Sequence, residues 1–243
     1  MNSLRLMDEE ELITTYTPIR MKLKTTLLPA HGQIYFAQIS PLGMFIGCRK
    51  GLLLYDKEYQ RRVKVTAPVC TRLLVDDRSS GLLYSFDGWC LNKLEITKND
   101  TDEFSFITKW RINGPSTWRA MAVVDIGIVA LCVDCLIVYA SNDGAELLRI
   151  EYSGGDGDAG KQKHLCALPQ QQSVLIAEGH DLIKVRLEQD SKPILLYKAN
   201  HYLGPLCVDK NGLIYVSAGA RHCLDIIYIL TYCGKYNYCS IPR

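Results

Sequence analysis

The residues of this 243-residue chain best suited to chemistry are basic and aromatic side chains beside predicted turns. Basic side chains neutralise phosphates and aromatic rings stack on unpaired bases, so the two types together can hold single-stranded RNA. The candidate ligand-binding residues are Arg49, Lys50, Trp89, Trp118, Arg119, His180, His201, Tyr202, Arg221 and His222. Exposed Arg and Lys are common on any surface, so the alternative is that these charges only solubilise the protein and that Trp118 belongs to the core.

The ten cysteines are scattered singly among apolar residues, except for the Cys-x-x-Cys formed by Cys132 and Cys135. No second pair follows at zinc-finger spacing, and alternation along a continuous strand would direct these two thiols to opposite faces. The pattern therefore predicts neither a metal site nor a redox role there. Reduced thiols acting as small buried hydrophobes are the simpler interpretation, and Cys132, Cys166 and Cys207 are predicted to be free and buried.

Composition indicates an ordinary globular protein without a dominant charge. Hydrophobic residues make up 48% of the chain, charged residues 22%, and the formal net charge is +2. A net charge this small excludes a global basic field, so any nucleic-acid site has to be local. No stretch approaches the roughly 20 apolar residues that span a bilayer. Acidic residues near the N-terminus argue against a signal peptide, so a cytoplasmic protein without membrane contact is expected.

The elements that must position the candidate residues are short strands that recur at intervals of roughly forty residues, which is the period of a propeller blade. Asn, Asp and Gly turns separate runs rich in Val, Ile, Leu and Tyr, a pattern typical of hairpins. No amphipathic helix is predicted. The equivalent second strands are predicted at Met44–Gly47, Leu82–Phe86, Ile128–Val133, Ser173–Ala177 and Leu213–Ser217.

This periodicity predicts an all-β fold, a β-propeller of four-stranded antiparallel blades, five or six in number and possibly incomplete. Residues 1–28 are expected to add strands that help to close the ring, and residues 29–243 to form the propeller. The repeats are predicted near residues 33–65, 71–112, 118–151, 164–198 and 204–240. A charged strand at residues 60–65 is expected to form an outer blade edge.

The fifth repeat, GPLCVDKNGLIYVSAGARHCLDIIYI from Gly204 to Ile229, resembles the NHL repeat. Val208-Asp209, Gly212, Ile214–Val216 and Arg221-His222 match that family's pattern, whereas Ala218 stands where the family has Asp. The third repeat matches in part, the first more faintly, and the second and fourth share little beyond the period. WD40 propellers are disfavoured because their Gly-His and Trp-Asp pairs are missing, and the string at residues 49–56 would also suit a citron-homology propeller.

The resemblance implies a binding platform, because NHL propellers of TRIM-type proteins bind RNA or protein partners through one loop face. In a propeller, the loops after second strands and those between blades share one face, which would gather the candidate residues. The expected protein is therefore non-catalytic, without cofactor or metal, and its partner is a protein or single-stranded RNA.

The alternative is a metal-dependent propeller hydrolase of the lactonase or esterase kind, in which carboxylates from several blades hold an axial metal. Glu178, Asp87 and Asp134 follow second strands and could converge in that way, although their loop contexts differ. No Gly-x-Ser-x-Gly elbow, P-loop, His-Glu-x-x-His or EF-hand loop occurs. The residues themselves thus favour binding over catalysis, and the oligomeric state stays open.

Overall fold

A computed structural model describes the strands of five small sheets and many of their turns. The described residues are 34–48, 51–55, 62–63, 65–66, 72–75, 82–86, 89–98, 104–114, 118–152, 163–168, 171–209, 212–220, 223–230 and 236–240. Every helix or strand assigned within these ranges is a β-strand. Across the same ranges, no helix has the length and apolarity needed to traverse a bilayer. The predicted N-terminal segment, residues 1–28, lies outside them.

Each sheet contains four consecutive antiparallel strands in chain order. Sheet 1 has β1 (Ile34–Ser40), β2 (Gly43–Cys48), β3 (Gly51–Tyr55) and β4 (Arg62–Val63). Sheet 2 has β6 (Arg72–Val75), β7 (Leu82–Phe86), β8 (Cys90–Lys98) and β9 (Phe104–Asn113), and its outer edge also pairs with β5 (Val65–Thr66).

The remaining three sheets repeat this order. Sheet 3 has β10 (Ala120–Val124), β11 (Gly127–Leu131), β12 (Cys135–Ala140) and β13 (Glu146–Glu151). Sheet 4 has β14 (Lys163–Leu168), β15 (Ser173–Glu178), β16 (Asp181–Arg186) and β17 (Ile194–Lys198). Sheet 5 has β18 (Tyr202–Val208), β19 (Ile214–Ala220), β20 (Cys223–Leu230) and β21 (Tyr236–Ser240). The five predicted second strands are confirmed in type and order, within one to three residues at their ends.

The sheets are arranged radially, as blades. The first strands contact one another in succession, β1 with β6, β6 with β10, β10 with β14 and β14 with β18. Alternation along β11 shows why: Ile128 and Ala130 pack toward sheet 2, whereas Val129 and Leu131 pack toward sheet 4. A strand that is apolar on both faces needs a neighbouring sheet on each side, and radial stacking supplies it. The predicted propeller architecture is therefore confirmed.

One predicted strand is divided between two sheets. The stretch at residues 60–65 was expected to be a single outer edge, and of its described residues Arg62–Val63 pairs with β3. Val65–Thr66 then pairs in parallel with the start of β9, the outermost strand of sheet 2. This short strand covers part of an edge that would otherwise expose unpaired backbone groups.

A buried polar network links sheets 2 and 3. Lys93 is only 8% exposed, and its ammonium donates to the backbone carbonyl of Ser141 and to Ser141 Oγ, the latter at 3.0 Å. The Tyr84 hydroxyl donates to the same Oγ at 2.9 Å, and Trp110 Nε1 donates to the Ser141 carbonyl at 3.2 Å. Because buried polar groups are costly unless paired, this network fixes the turn of sheet 3 against its neighbour.

The cysteine predictions hold only in part. Cys132 is a buried thiol outside any disulfide, as predicted, but Cys166 is half-buried and Cys207 is exposed. Cys166 and Cys207 lie on the first strands of sheets 4 and 5, which face the propeller axis and pack less completely than the middle strands. Burial raises the pKa of the Cys166 thiol to about 11.

The geometry expected for the Cys-x-x-Cys is wrong. Cys132 and Cys135 do not lie on one continuous strand but flank the two-residue turn between β11 and β12, where the Cys132 N–H donates to the Cys135 carbonyl at 2.8 Å. Both side chains enter the core between sheets 2 and 3. Residues opposed across a hairpin share a face, so the alternation argument does not apply to them.

Replacing Gly127 by alanine is expected to destabilise the fold by about 2–5 kcal/mol, because it adds left-handed strain to overpacking. Gly127 has a φ of +156°, and a Cβ there would lie 1.9 Å from the Tyr139 carbonyl oxygen. Gly212 is the matched control: its φ is +80° but no atom lies within 4 Å of an added Cβ, so alanine should cost about 1–2 kcal/mol. Urea unfolding of both variants measures the difference, and equal losses would contradict the close approach.

Cys207 is expected to react rapidly with a bulky thiol reagent, whereas Cys132, which is 1% exposed, is expected to stay protected under native conditions. Although Cys207 is exposed, partial desolvation by neighbouring atoms and the charge of Asp209 raise the pKa of its thiol, so less of it is thiolate at neutral pH than for an ordinary cysteine. The labelling rate at Cys207 should therefore keep rising as the pH passes the ordinary thiol range. Peptide mapping at several pH values tests this, and a rate that levels off near neutrality would be inconsistent with it.

Candidate binding face

The turns between second and third strands occupy equivalent positions in all five sheets. In sheets 1, 4 and 5 two residues separate the last paired residues, as the pairings Cys48 with Gly51, Glu178 with Asp181 and Ala220 with Cys223 show. Antiparallel order places these turns at the same edge as the connections from each fourth strand to the next sheet. We call this edge, made of those turns and connections, the loop face.

A repeated hydrogen bond fastens each connection to the turn of its own sheet. The backbone N–H of Gly114 donates to the Trp89 carbonyl at 3.0 Å in sheet 2, and that of Tyr152 to the Asp134 carbonyl at 2.8 Å in sheet 3. In sheet 4 the N–H of Ala199 donates to the His180 carbonyl at 2.7 Å. The same contact in three sheets gives Trp89, Asp134 and His180 equivalent places on the loop face.

Two candidate residues stack on each other where sheet 4 leads into sheet 5. The rings of His180 and Tyr202 have centroids 4.4 Å apart and planes inclined by 35°. A hydrogen bond from the Leu203 N–H to the Gly179 carbonyl, at 2.6 Å, holds the incoming strand of sheet 5 against the turn that carries His180. His201, the next residue along the connection, is exposed. The structure thus brings the candidates His180, His201 and Tyr202 together.

A second group lies where sheet 2 leads into sheet 3. Trp89 is 68% exposed at the tip of its turn, and Arg119 is also exposed. Gly114, which bonds to the Trp89 carbonyl, lies against the Trp118 ring, so these residues share one corner of the loop face. This corner of the loop face therefore carries one exposed aromatic ring, Trp89, and one exposed basic side chain, Arg119.

Trp118 is not available to a ligand, which corrects its inclusion among the binding residues. Its side chain is 5% exposed and lies between sheets, with its ring 5.4 Å from that of Phe86 and 5.9 Å, edge-on, from that of Tyr139. Trp118 lies just before β10, the first strand of sheet 3, and its ring packs in the apolar core between sheets 2 and 3. The core interpretation of Trp118 is therefore the correct one.

The four remaining candidates lie outside the described residues. Arg49 and Lys50 fall between β2 and β3, and Arg221 and His222 fall between β19 and β20. They occupy the same two turn positions in the chain order as Gly88-Trp89 in sheet 2 and Gly179-His180 in sheet 4. Their place in the repeat is therefore known from the strand bounds alone.

The turn of sheet 3 differs from its neighbours and interrupts the basic and aromatic character of the face. Its two central residues are Val133, which is 40% exposed, and Asp134, which is also exposed. Asp134 was expected only as a metal ligand, and Val133 was not among the candidate binding residues. Its equivalence with Trp89 and His180 could have been found by aligning the five two-residue turns.

Glu178 belongs to a buried ion pair beneath this face. Its Oε1 lies 3.0 Å from the Lys163 ammonium, and both side chains are less than a tenth exposed. The Tyr152 hydroxyl donates to Glu178 Oε2 at 2.7 Å. Burial and the Glu178 carboxylate raise the pKa of Tyr152 well above its usual range. Both carboxylate oxygens are thus engaged in a contact between sheets 3 and 4, which no local sequence pattern indicates.

The other two carboxylates of the hydrolase alternative add no support to it. Asp134 is exposed at the tip of its turn, and Asp87 lies outside the described residues. Among the residues that the structure describes, no three His, Cys, Asp or Glu side chains are grouped so that they could hold a metal ion.

Comparison with solved structures identifies the class of protein as a β-propeller. The chain is similar to a streptogramin B lyase structure, with a TM-score of 0.58 and 13% identity over 86% of this chain and 69% of that one. Virginiamycin B lyase from Staphylococcus aureus gives 0.55 and 10% over 86% and 70%. Kluyveromyces lactis Hsv2 gives 0.58 and 11% over 85% and 63%.

These likenesses show the fold alone, since identity is low throughout. No protein-family model matches the chain. No curated protein matches it either. The shared feature is the propeller scaffold, which carries an enzymatic activity in the two lyases and therefore does not by itself decide between binding and catalysis.

Replacing Glu178 by glutamine is expected to destabilise the protein by about 3–5 kcal/mol, because it leaves the buried Lys163 ammonium without its counter-charge. The double variant Lys163→Met with Glu178→Met removes both charges and should recover most of that loss. Thermal and urea unfolding of the parent, single and double variants measures the effect. A single variant as stable as the parent would show that the ion pair is not a structural contact.

Proposed function

We propose that this protein is a non-catalytic binding platform that holds single-stranded RNA on its loop face. The observation that carries the proposal is the pair of aromatic surfaces there: the open ring of Trp89, 68% exposed, and the stacked rings of His180 and Tyr202. A large aromatic side chain that is two-thirds exposed contributes little to folding. An aromatic ring must be exposed to stack on a base of single-stranded RNA, and the ring of Trp89 meets that requirement.

Basic side chains on the same face support a phosphate-bearing ligand. Exposed Arg119 lies in the corner that contains Trp89, and exposed His201 precedes Tyr202. Arg49-Lys50 and Arg221-His222 supply further basic residues at the equivalent turn positions of sheets 1 and 5. The resemblance of the fifth repeat to the NHL pattern supports the same face, since NHL propellers bind RNA or protein there.

A protein partner is the second candidate, and the turn of sheet 3 favours it. Val133 adds exposed apolar surface next to a carboxylate, Asp134, which would repel a phosphate backbone. Trp89 and Val133 together would suit an apolar side chain of a partner. The two candidates differ in salt dependence, because only the RNA complex releases condensed counterions.

The hydrolase alternative has less support than binding. A metal on Glu178 would have to displace the Lys163 ammonium from Oε1 or the Tyr152 hydroxyl from Oε2, both within 3.0 Å. Breaking a buried ion pair to admit a cation beside a buried ammonium is electrostatically unfavourable. The contacts of Glu178 therefore favour a structural role over a role as a metal ligand.

The parent protein is expected to bind a single-stranded oligouridine, and Trp89→Ala should weaken that binding by about 1–3 kcal/mol with little change in salt dependence, because a stacked ring is lost. The matched control is Ile126→Ala: Ile126 is 37% exposed in the turn before β11, at the opposite edge of sheet 3. Fluorescence anisotropy at several salt concentrations measures both quantities.

In the same titrations, Arg119→Ala should weaken binding and reduce the salt slope by about 0.7 if it contacts one phosphate. Arg49→Ala and Arg221→Ala are expected to behave alike. Arg186→Ala is the control, since Arg186 ends β16 at the opposite edge and its side chain is 60% exposed. Equal losses from all the arginine variants would indicate unspecific attraction. A parent protein that does not bind RNA would leave the protein partner as the surviving candidate.

A further inference from the structure

The Cys132 and Cys135 side chains form a pair of facing thiols at the edge of sheet 3. The two residues close the turn at Val133-Asp134 and both lie on the side of sheet 3 that faces sheet 2. Their thiols are close enough to hydrogen-bond to each other. Directly opposed residues in an antiparallel pair have Cα atoms about 4.5–5.5 Å apart, which lies within the range that a disulfide spans.

The two thiols differ in access and in electrostatic surroundings. Cys132 is 1% exposed and packs in the core cluster that contains Trp118, whereas Cys135 is 7% exposed. Arg149 Nη1 donates to Cys135 Sγ at 3.5 Å, and two hydrogen bonds to Glu146, at 3.0 and 2.9 Å, orient that guanidinium. Burial, together with the charge of Asp134, raises the pKa of the Cys135 thiol, and Arg149 offsets only part of that shift. Cys135 nevertheless has the position of an attacking thiol, because it is the more exposed of the two and lies beside a cation, and Cys132 has the position of a resolving thiol.

We propose that Cys132 and Cys135 are a reversible dithiol–disulfide couple that exchanges with low-molecular-weight disulfides at the loop face. The thiols of Cys48 and Cys90 are also buried near equivalent turns, but neither has a cysteine three residues away on the other flank of its turn. The couple belongs to the turn of sheet 3 and does not depend on RNA or protein binding.

The exchange has two balanced steps. The Cys135 thiolate attacks one sulfur of the disulfide RS–SR, the S–S bond breaks, and RS⁻ leaves and takes up the proton released by Cys135. The Cys132 thiolate then attacks Cys135 Sγ in the mixed disulfide, and the second RSH leaves. The protein loses two electrons and two protons in all, and the small disulfide gains them as two thiols. A turn of two residues brings both sulfurs to the same place before the reaction begins.

Cys90 serves as an internal control. It begins β8 as Cys135 begins β12, and Arg111 Nη2 lies 2.7 Å from Cys90 Sγ. Arg111 and Arg149 also occupy the same diagonal register, opposite Asn92 and Ile137 respectively. On the far flank of its turn, however, sheet 2 has Asp87 where sheet 3 has Cys132. Cys90 can therefore form a mixed disulfide but no internal one.

The test is incubation of the full chain with oxidised glutathione, followed by alkylation, trypsin digestion and mass spectrometry. The tryptic peptide from Ala120 to Arg149 contains Cys132 and Cys135 and no other cysteine. We expect this peptide to escape alkylation, to carry no glutathione adduct and to weigh two hydrogens less than the unalkylated dithiol peptide. Dithiothreitol added before alkylation should reverse the change. Trp118 fluorescence should fall in parallel, since the new disulfide would lie in the cluster that contains its ring.

Two variants and one comparison decide the outcome. Cys132→Ser should accumulate a glutathione adduct on Cys135, and Arg149→Gln should slow disulfide formation several-fold. The inference is overturned if the parent peptide stays a dithiol while Cys207 is modified. Oxidation of Cys48 at the same rate would equally overturn it, because reaction through unfolded chains would then be sufficient. Both of these readouts use the parent protein, so they hold even where a variant folds poorly.

Discussion

The packing of apolar strand faces between successive sheets is the interaction on which the rest of this structure depends. In sheet 3, Val129 and Leu131 contact sheet 4, whereas Ile128 and Ala130 contact sheet 2, and all four are fully buried. Full burial of each of the larger three, Ile128, Val129 and Leu131, contributes about 1.5–3 kcal/mol by removing it from water. A sheet with two such faces is unstable alone, so the sheets must stack around an axis, and the loop face follows from that stacking.

Polar contacts refine this arrangement where sheets meet. Lys93 reaches across to Ser141 between sheets 2 and 3, and Lys163 pairs with Glu178 between sheets 3 and 4. Buried polar groups add little net stability, but they tolerate few alternatives, since a shifted sheet would leave them unpaired. They set the relative position of neighbouring sheets, and with it the position of the turns that carry Trp89 and His180.

On the loop face, the same backbone contact recurs from sheet to sheet, whereas the side chains of the turns differ. The backbone of each described connection bonds to its turn in the same way in sheets 2, 3 and 4. The side chains at the centres of the described turns differ, by contrast, and Trp89, Val133 and Asp134 are all exposed there. Aromatic, apolar and acidic turns can coexist on one scaffold because exposed loop residues tolerate change better than core residues do.

The sequence by itself determined the fold class, the order of strands and the place of each candidate turn, because period-2 patterns and Gly, Asn and Asp turns are local signals. Tertiary structure alone decided that Trp118 enters the core, that Cys207 is exposed, that Cys132 faces Cys135 and that Glu178 is paired with Lys163. These outcomes depend on which side of a strand meets a neighbouring sheet and on contacts between residues far apart in the chain. Such contacts leave no local pattern, so only the assembled sheets reveal them.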